Sequence, residues 1–342
     1  MTILHATEAL GAGVQSAIYA YTTLLPDFQH VVLARARGGM QTYSWPSNVD
    51  FHAFTGSAPH YLAAIRRAVL TRAPDVLHLH SSIAGLARVW SIPRVPTVYS
   101  PHCFAFERRD VGVGRRLGYR VVESLMAQRS HVLAAVSPRE RQLALGLSRR
   151  LRATYVPNVP TTATTAGIAE QDRNPVVVTV GRLLPQKDPH FFAAVAKRCG
   201  SHGRFVWIGD GDPELRTILE RAGVMVTGWL APEEVRTMVA SASLYLHTAA
   251  WEAAPISTVE AAATGTPVMS RGITSMTSLG YWTSGLTVES TAEAVCRFFT
   301  EPGTRDAVAD QTRELVAGLG SEVAESALRS TYWDALALAG AR

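Results

Sequence analysis

The feature that most constrains the fold is a rhythm that runs twice along the chain: apolar runs of strand length alternate with stretches of helical periodicity. In the first half, Thr2-Ile3-Leu4-His5-Ala6 leads into Gly11 and Gly13 and then a helical stretch from Val14 to Leu25. His30 to Ala34, Asp75 to His80, Thr97 to Ser100 and Val132 to Val136 continue the strand series. Between Val156 and Asn174 the composition turns to Pro, Thr, Ala and Gly, which marks a boundary rather than an element. The rhythm then restarts. Strands are expected at 176–180, 205–208, 224–227, 244–247 and 267–270, and helices at 189–199, 212–221, 232–240, 256–264 and 291–300. A last helix is expected at about 322–338 and carries Tyr332 and Trp333. Strands that alternate with helices build open parallel sheets covered on both faces. The expected fold class is α/β, with two Rossmann-like, doubly wound parallel-sheet domains, 1–160 and 161–342, facing a central cleft. Ligands are expected at the carboxyl ends of the strands. Whether the last helix packs back on the first domain stays open.

Length and composition agree. A chain of 342 residues exceeds what one typical core organises, and 47% hydrophobic with 18% charged residues is a globular balance. No apolar run reaches the roughly 18 to 20 residues of a membrane span. The opening Met1-Thr2-Ile3-Leu4-His5-Ala6 runs straight into a strand and lacks the basic and apolar regions of a signal peptide. Three scattered cysteines, Cys103, Cys199 and Cys296, make neither a disulfide framework nor a zinc motif, so a reducing cytoplasm is expected. Charge is uneven: residues 1–165 hold 18 Arg and 8 acidic residues, and residues 166–342 hold 15 basic and 20 acidic ones. A solvated Arg-rich surface and a surface that meets an anionic partner, such as a membrane face or a lipid diphosphate, both fit this.

Two segments of the second half carry chemistry. Gly181 and Arg182 end a strand, and Lys187 follows five residues later. An Arg fork and a Lys point charge at a strand end could clamp a diphosphate, or they could be solvated loop cations. In the second segment, Glu252 and Glu260 bracket Ala254, Pro255, Ile256, Ser257 and Thr258. Pro255 suits the first turn of a helix. The amides of Ile256, Ser257 and Thr258 would then face an anion. Glu260, one turn in, could accept from vicinal ribose hydroxyls, and Glu252 from sugar hydroxyls. An N-terminal helix carboxylate stabilised by the dipole is the plainer alternative.

With their neighbours these residues resemble glycosyltransferase family 4, the group 1 glycosyltransferases of the retaining GT-B class. The specific stretches are VGRLLPQKD at 180–188, IGDGDPELR at 208–216, VTGWLAPEEV at 226–235 and LHTAAWEAAPISTVEAAATGTPVM at 246–269. GAGVQSAI, DVLHLHSS, TVYSPHCF, AAVSPRE and YVPNVP in the first half also match, each more weakly. The resemblance implies that Arg182 and Lys187 bind the diphosphate, Glu252 the donor sugar and Glu260 the ribose. It implies that His102 contacts the sugar near the reacting centre. Gly11 and Gly13 would let the backbone approach phosphate or acceptor, and Gly228, Trp229 and Leu230 would meet the base. Departures are Ala253-Ala254-Pro255 where glycines are frequent, Gly-Ala-Gly in the first loop, and Cys103 after the histidine where Asp or Gly is frequent.

Other constellations are weaker. His78 and His80 alternate on one strand, but no third ligand is near in sequence, so no metal is expected. Gly209-Asp210-Gly211 has Glu214 at the third glycine position, which argues against NAD. Arg108-Arg109 and Arg115-Arg116, with Tyr99, Phe104 and Phe106 close by, suit an acceptor- or membrane-facing loop, and His80 joins Arg108 and Arg109 as an acceptor-side candidate. No nucleic-acid module is recognisable.

The resemblance thus implies a retaining, metal-independent transferase with no cofactor beyond its nucleoside-diphosphate sugar. It would be cytoplasmic or peripheral at the inner membrane face. Its acceptor would be a lipid-linked or cell-surface glycan, with a soluble acceptor such as an antibiotic aglycone as the rival. Hydrolysis or epimerisation of the nucleotide sugar and a catalytically silent sugar-nucleotide-binding subunit are the further alternatives.

Overall fold

The computed structural model describes residues 1–8, 10–35, 44–89, 95–161 and 174–340. It divides into two units, Met1–Thr161 with Gly320–Arg342, and Thr162–Leu319. Of the boundary stretch read from composition, residues 162–173 lie outside the described residues.

The first unit runs β1 (Thr2–Thr7), α1 (Ala12–Leu24), β2 (Gln29–Arg35), β3 (Val49–Phe54), α2 (Ala58–Arg72), β4 (Val76–His80), a short α3 (Ser82–Gly85), β5 (Thr97–Ser100), α4 (Val113–Ala127), β6 (Val132–Ala135), α5 (Pro138–Leu145) and β7 (Arg152–Tyr155). Its sheet has the order β3-β2-β1-β4-β5-β6-β7, and neighbouring strands are parallel. β1 and β4 are therefore adjacent although β2 and β3 separate them in sequence, and the strand order reverses between them. Both are buried on both faces. Such strands are usually continuous aliphatic runs, yet here they carry His5, His78 and His80, all fully buried.

The second unit repeats the plan with β8 (Asn174–Val180), α6 (Pro189–Cys199), β9 (Arg204–Ile208), α7 (Pro213–Arg221), β10 (Met225–Val226), α8 (Pro232–Ser241), β11 (Ala242–His247), α9 (Ile256–Ala263), β12 (Val268–Ser270), α10 (Thr274–Ser278), β13 (Trp282–Thr283), α11 (Val288–Thr300) and α12 (Pro302–Gly318). The order β10-β9-β8-β11-β12-β13 reverses between β8 and β11. Its core packs Phe191, Phe192, Trp207, Leu244 and Phe298, with Phe192 edge-on to Trp207.

The last helix, α13 (Ser321–Gly340), belongs with the first unit. Leu328, Tyr332 and Ala335 pack on Ile3, Val76, Val98 and Val132. Arg329 pairs with Asp27 at 2.9 Å and lies over the Phe28 ring. The sequence left open where this helix packs; in the structure it covers the first sheet.

Candidate active site

The strand reversal of the second unit sets the loops after β8 and β11 side by side, the usual ligand position in a doubly wound sheet. Lys187 Nζ donates to Glu252 Oε2 at 2.7 Å, with side chains 21% and 11% exposed. Gln186 Nε2 donates to Glu252 Oε1 and to the Trp251 carbonyl, both at 3.3 Å. The Ala250 amide returns a bond to the Gln186 carbonyl at 2.9 Å, and the Thr248 hydroxyl donates to the Lys187 carbonyl at 3.2 Å. Two segments some sixty residues apart in sequence are thus stitched around one ion pair.

Gly181 lets the Lys187 stem lie close, since a Cβ there would stand 3.3 Å from Lys187 Cε. Trp207 Nε1 donates to the Gly181 carbonyl at 2.8 Å. A Cβ on Gly209, at φ +132°, would meet the same carbonyl at 2.3 Å, so only glycine closes this contact. Arg182 is exposed and, among the described residues, makes no hydrogen bond or ion pair. Its guanidinium is available for an incoming anion.

α9 starts one residue later than its proline: Pro255 is the N-cap and Ile256 the first helical residue. The amides of Ile256 and Ser257 stand in the turn where a helix has no internal acceptor. The Thr258 amide does not join them as expected, because it donates to the Pro255 carbonyl at 3.1 Å. The Thr258 side chain is fully buried and bonds Pro255 and Tyr281. Ser257 accepts from the Tyr245 hydroxyl at 2.9 Å. Ala254 and Glu260 are half-buried, Glu260 one turn inside α9. On the other flank, Gly209 and Gly228 form an isolated bridge that brings in half-buried Leu230 and Trp229, a residue 63% exposed. An exposed indole of this kind can stack on a planar ligand.

Sequence reasoning missed two supports here. Asp188, at φ +52°, caps α6 through the Phe191 amide and pairs with Arg271 at 2.9 Å. Arg271 also lies 4.0 Å over the Phe191 ring. Asp188 followed by Pro189 is a helix-start signature and was open to reading; the distant Arg271 was not.

In the first unit, Gly11 precedes α1 at φ +143°, and a side chain at Gly13 would meet open space. His102 and Cys103, after β5, both adopt left-handed backbone, φ +50° and +85°. Buried Glu140 holds this turn, taking the Cys103 amide at 2.8 Å and the Val136 amide at 2.9 Å. Glu8 holds the neighbouring turn after β4 through the amides of Ile83 and Ala84. Glu8 carried no sequence signal; Glu140 stands in a Ser137-to-Glu140 helix-start signature, but its hold on Cys103 depends on the fold.

His102 ends a row of hydrogen-bonded imidazoles. Its Nε2 is 3.0 Å from His80 Nδ1, His80 Nε2 is 3.0 Å from His5 Nδ1, and His5 Nε2 is 3.1 Å from His30 Nδ1. His30 Nε2 then reaches the Leu25 carbonyl at 3.1 Å. Beside the row, His78 bonds Tyr332 and Ser100, each at 2.9 Å. Burial lowers all five; His102 falls to about 4, and His5, His78 and His80 are also depressed by their imidazole neighbours. His80, expected on the acceptor side, is fully buried with both nitrogens engaged, so it reaches a ligand only through His102. Arg108 pairs with Asp110 at 2.6 Å, and Arg109 is exposed. The nitrogens of His5, His78 and His80 lie close enough to suggest a metal triad. All six have protein partners, which makes the group a hydrogen-bonded core rather than a ready coordination shell.

Comparison with known proteins meets this geometry. Residues 2–159 match the glycosyl transferase 4-like domain and residues 174–317 the glycosyl transferases group 1 family. A Klebsiella pneumoniae protein described as an uncharacterized 41.2 kDa protein in the cps region is 23% identical over 81% of this chain and 82% of its own length. The Escherichia coli UDP-Gal:alpha-D-GlcNAc-diphosphoundecaprenol alpha-1,3-galactosyltransferase is 27% identical, and the match spans 56% of each protein. The crystal structure of Anabaena HepE with UDP and glucose superposes with a TM-score of 0.81 at 17% identity, over 97% of this chain and 99% of that one. Both halves match, the fold is that of GT-B glycosyltransferases, and the chain belongs to the group 1, family 4-like glycosyltransferases.

Proposed function

We propose that this glycosyltransferase is retaining and metal-independent, and that it moves a sugar from a nucleoside diphosphate to a hydroxyl of a lipid-linked glycan. The observation that carries the reading is the exposed Arg182 guanidinium in the same loop as Lys187, which pairs with Glu252 ahead of α9. Arg182, Lys187 and the amides of Ile256 and Ser257 supply the positive potential that a departing diphosphate needs. Glu252 and Glu260 accept from sugar and ribose hydroxyls, and Trp229 with Gly228 and Leu230 lies against the base. The bond from sugar C1 to the phosphate oxygen breaks as the acceptor oxygen bonds C1 on the same face. The acceptor proton passes to the departing phosphate oxygen, so no protein nucleophile is required.

The acceptor class rests on α4. Val113, Leu117, Val121 and Leu125 recur every fourth residue and are 78%, 61%, 52% and 57% exposed, with Arg115 and Arg120 exposed between them. An apolar stripe flanked by arginines suits an anionic membrane surface, where a lipid-linked acceptor resides. No helix among the described residues is long and apolar enough to cross a membrane. The Escherichia coli relative, whose name includes a diphosphoundecaprenol-linked sugar, points the same way.

The test is nucleotide release from UDP-, GDP-, ADP- and TDP-sugars in EDTA, with and without anionic vesicles bearing a lipid-diphosphate glycan. One donor is expected to turn over, with activity lost in Lys187→Ala. Release that stops in EDTA refutes metal independence. A folded protein that binds no donor favours the silent-subunit alternative, and turnover onto soluble acceptors alone removes the membrane assignment.

A further inference from the structure

The imidazole row has a direction, and one carbonyl sets it. A carbonyl oxygen only accepts, so His30 must donate to Leu25 from Nε2. A neutral imidazole carries one N–H, which leaves His30 Nδ1 as an acceptor. His5 must then donate to it from Nε2, and its own Nδ1 accepts from His80 Nε2. By the same step His80 Nδ1 accepts from His102 Nε2. His78 is oriented independently in the same sense. The Ser100 hydroxyl donates to the Ala134 carbonyl at 2.9 Å, so Ser100 accepts from His78 Nε2, and Tyr332 donates to His78 Nδ1.

We propose that this relay, anchored at Leu25, fixes His102 as a neutral Nε2–H imidazole and leaves its Nδ1 lone pair as an acceptor for a donating ligand hydroxyl. His102 Nδ1 has no hydrogen-bond partner among the described residues, and His102 is the only member of the row that is not fully enclosed. The other three are positioning residues that act through it. The consequence is selectivity: a ligand hydroxyl that can donate is accepted at this point, and a group that can only accept is refused. The row is packed against neighbouring rings, with His78 4.0 Å from His80 between ring centroids. Tyr21 stacks on His78 with 10° between the planes, and His80 stacks on His102 at 16°. The inference deepens the transferase reading and rests on it for the identity of the ligand, but not for the state of the ring.

Ring-nitrogen NMR of isotope-labelled protein at neutral pH tests the ring state without any substrate. His5, His30, His80 and His102 are each expected to show a protonated Nε2 and a bare Nδ1. An Nδ1–H or doubly protonated His102 overturns the proposal whatever the transferase assays give.

The relay itself is tested with His30→Leu, which removes the anchor, and His30→Gln, whose amide can donate at one end and accept at the other. In a folded His30→Leu protein, His102 is expected to gain the Nδ1–H form, and kcat/KM to fall by about tenfold, with recovery in His30→Gln. An unchanged His102 signal in folded His30→Leu overturns the relay. If His30→Leu does not fold, the wild-type and His30→Gln spectra still decide. Donors with one hydroxyl replaced by fluorine, which cannot donate, should include one that loses about tenfold in kcat/KM; tolerance at every position overturns the acceptor role of Nδ1. The expected spectra together with no turnover of any donor would remove the proposed function and leave the relay intact.

Discussion

At its strand reversal, between β1 and β4, the first unit buries neutral imidazoles in series. At its own reversal, between β8 and β11, the second unit places a half-buried lysine and glutamate in contact. The sheets share a strand plan, yet one satisfies its polar atoms by passing one proton position from ring to ring, and the other by opposing full charges at the rim. An ion pair at the rim keeps access to water and can be redirected toward an anion. A neutral chain tolerates burial because it carries no charge to desolvate. The first arrangement suits fixing one ring, the second suits seizing a diphosphate.

Acid should break the comparison most strongly. A histidine kept neutral when folded takes up its proton on unfolding, so stability is lost as pH falls through the ordinary value near 6.5. For His102 the loss continues down to about 4. Each such group contributes about 1.4 kcal/mol per pH unit in that window. Among the described residues, the first unit has five histidines held neutral in this way and the second has His247. Hydrogen exchange between neutral pH and mild acid should show the first unit opening well before the second; equal losses in both would contradict the account.

Glu123→Ala should come next. Arg88 and Glu123, 2% and 8% exposed, pair at 2.9 Å under Tyr99, whose hydroxyl donates to Glu123. Removing the carboxylate strands a buried guanidinium, at about 3–5 kcal/mol, readable by denaturant unfolding. Lys187→Ala in the second unit should do the reverse, lowering kcat by about 100- to 1000-fold with a smaller loss of stability than Glu123→Ala, because Glu252 keeps Gln186 as a partner. If Lys187→Ala unfolds the second unit without a separable loss of turnover, the contrast between the two regions fails. The smallest effect expected is a gain. Cys103 holds φ +85°, and Cys103→Gly should raise stability by about 1 kcal/mol, seen as a higher melting temperature.

Elements were legible where burial and periodicity agree. β5 over Thr97–Ser100 and α6 over Pro189–Cys199 fall where their apolar runs predict. β3 was not, because Val49–Phe54 is a half-exposed edge strand with Asp50 and His52 in it. α4 was missed although its apolar stripe has helical spacing; the stripe faces outward, and periodicity alone does not tell an outward face from a core-facing one. In the candidate site, Lys187 and Glu252 could be named from local sequence, but the bond between them depends on β8 and β11 becoming neighbours. His78 and His80 were visible as a pair on one strand. That His5 and His30 would complete a row with His102 depends on strand order and on a left-handed turn, and no local pattern encodes either.

The return of α13 to the first sheet has a consequence for synthesis. The second unit is one contiguous segment, whereas the first is finished only by residues that follow Leu319. Until then Ile3, Val76, Val98 and Val132 lack the covering of Leu328 and Tyr332. On the ribosome the usual order of N-terminal domain first is inverted, and the segment translated earliest is the last to close its core.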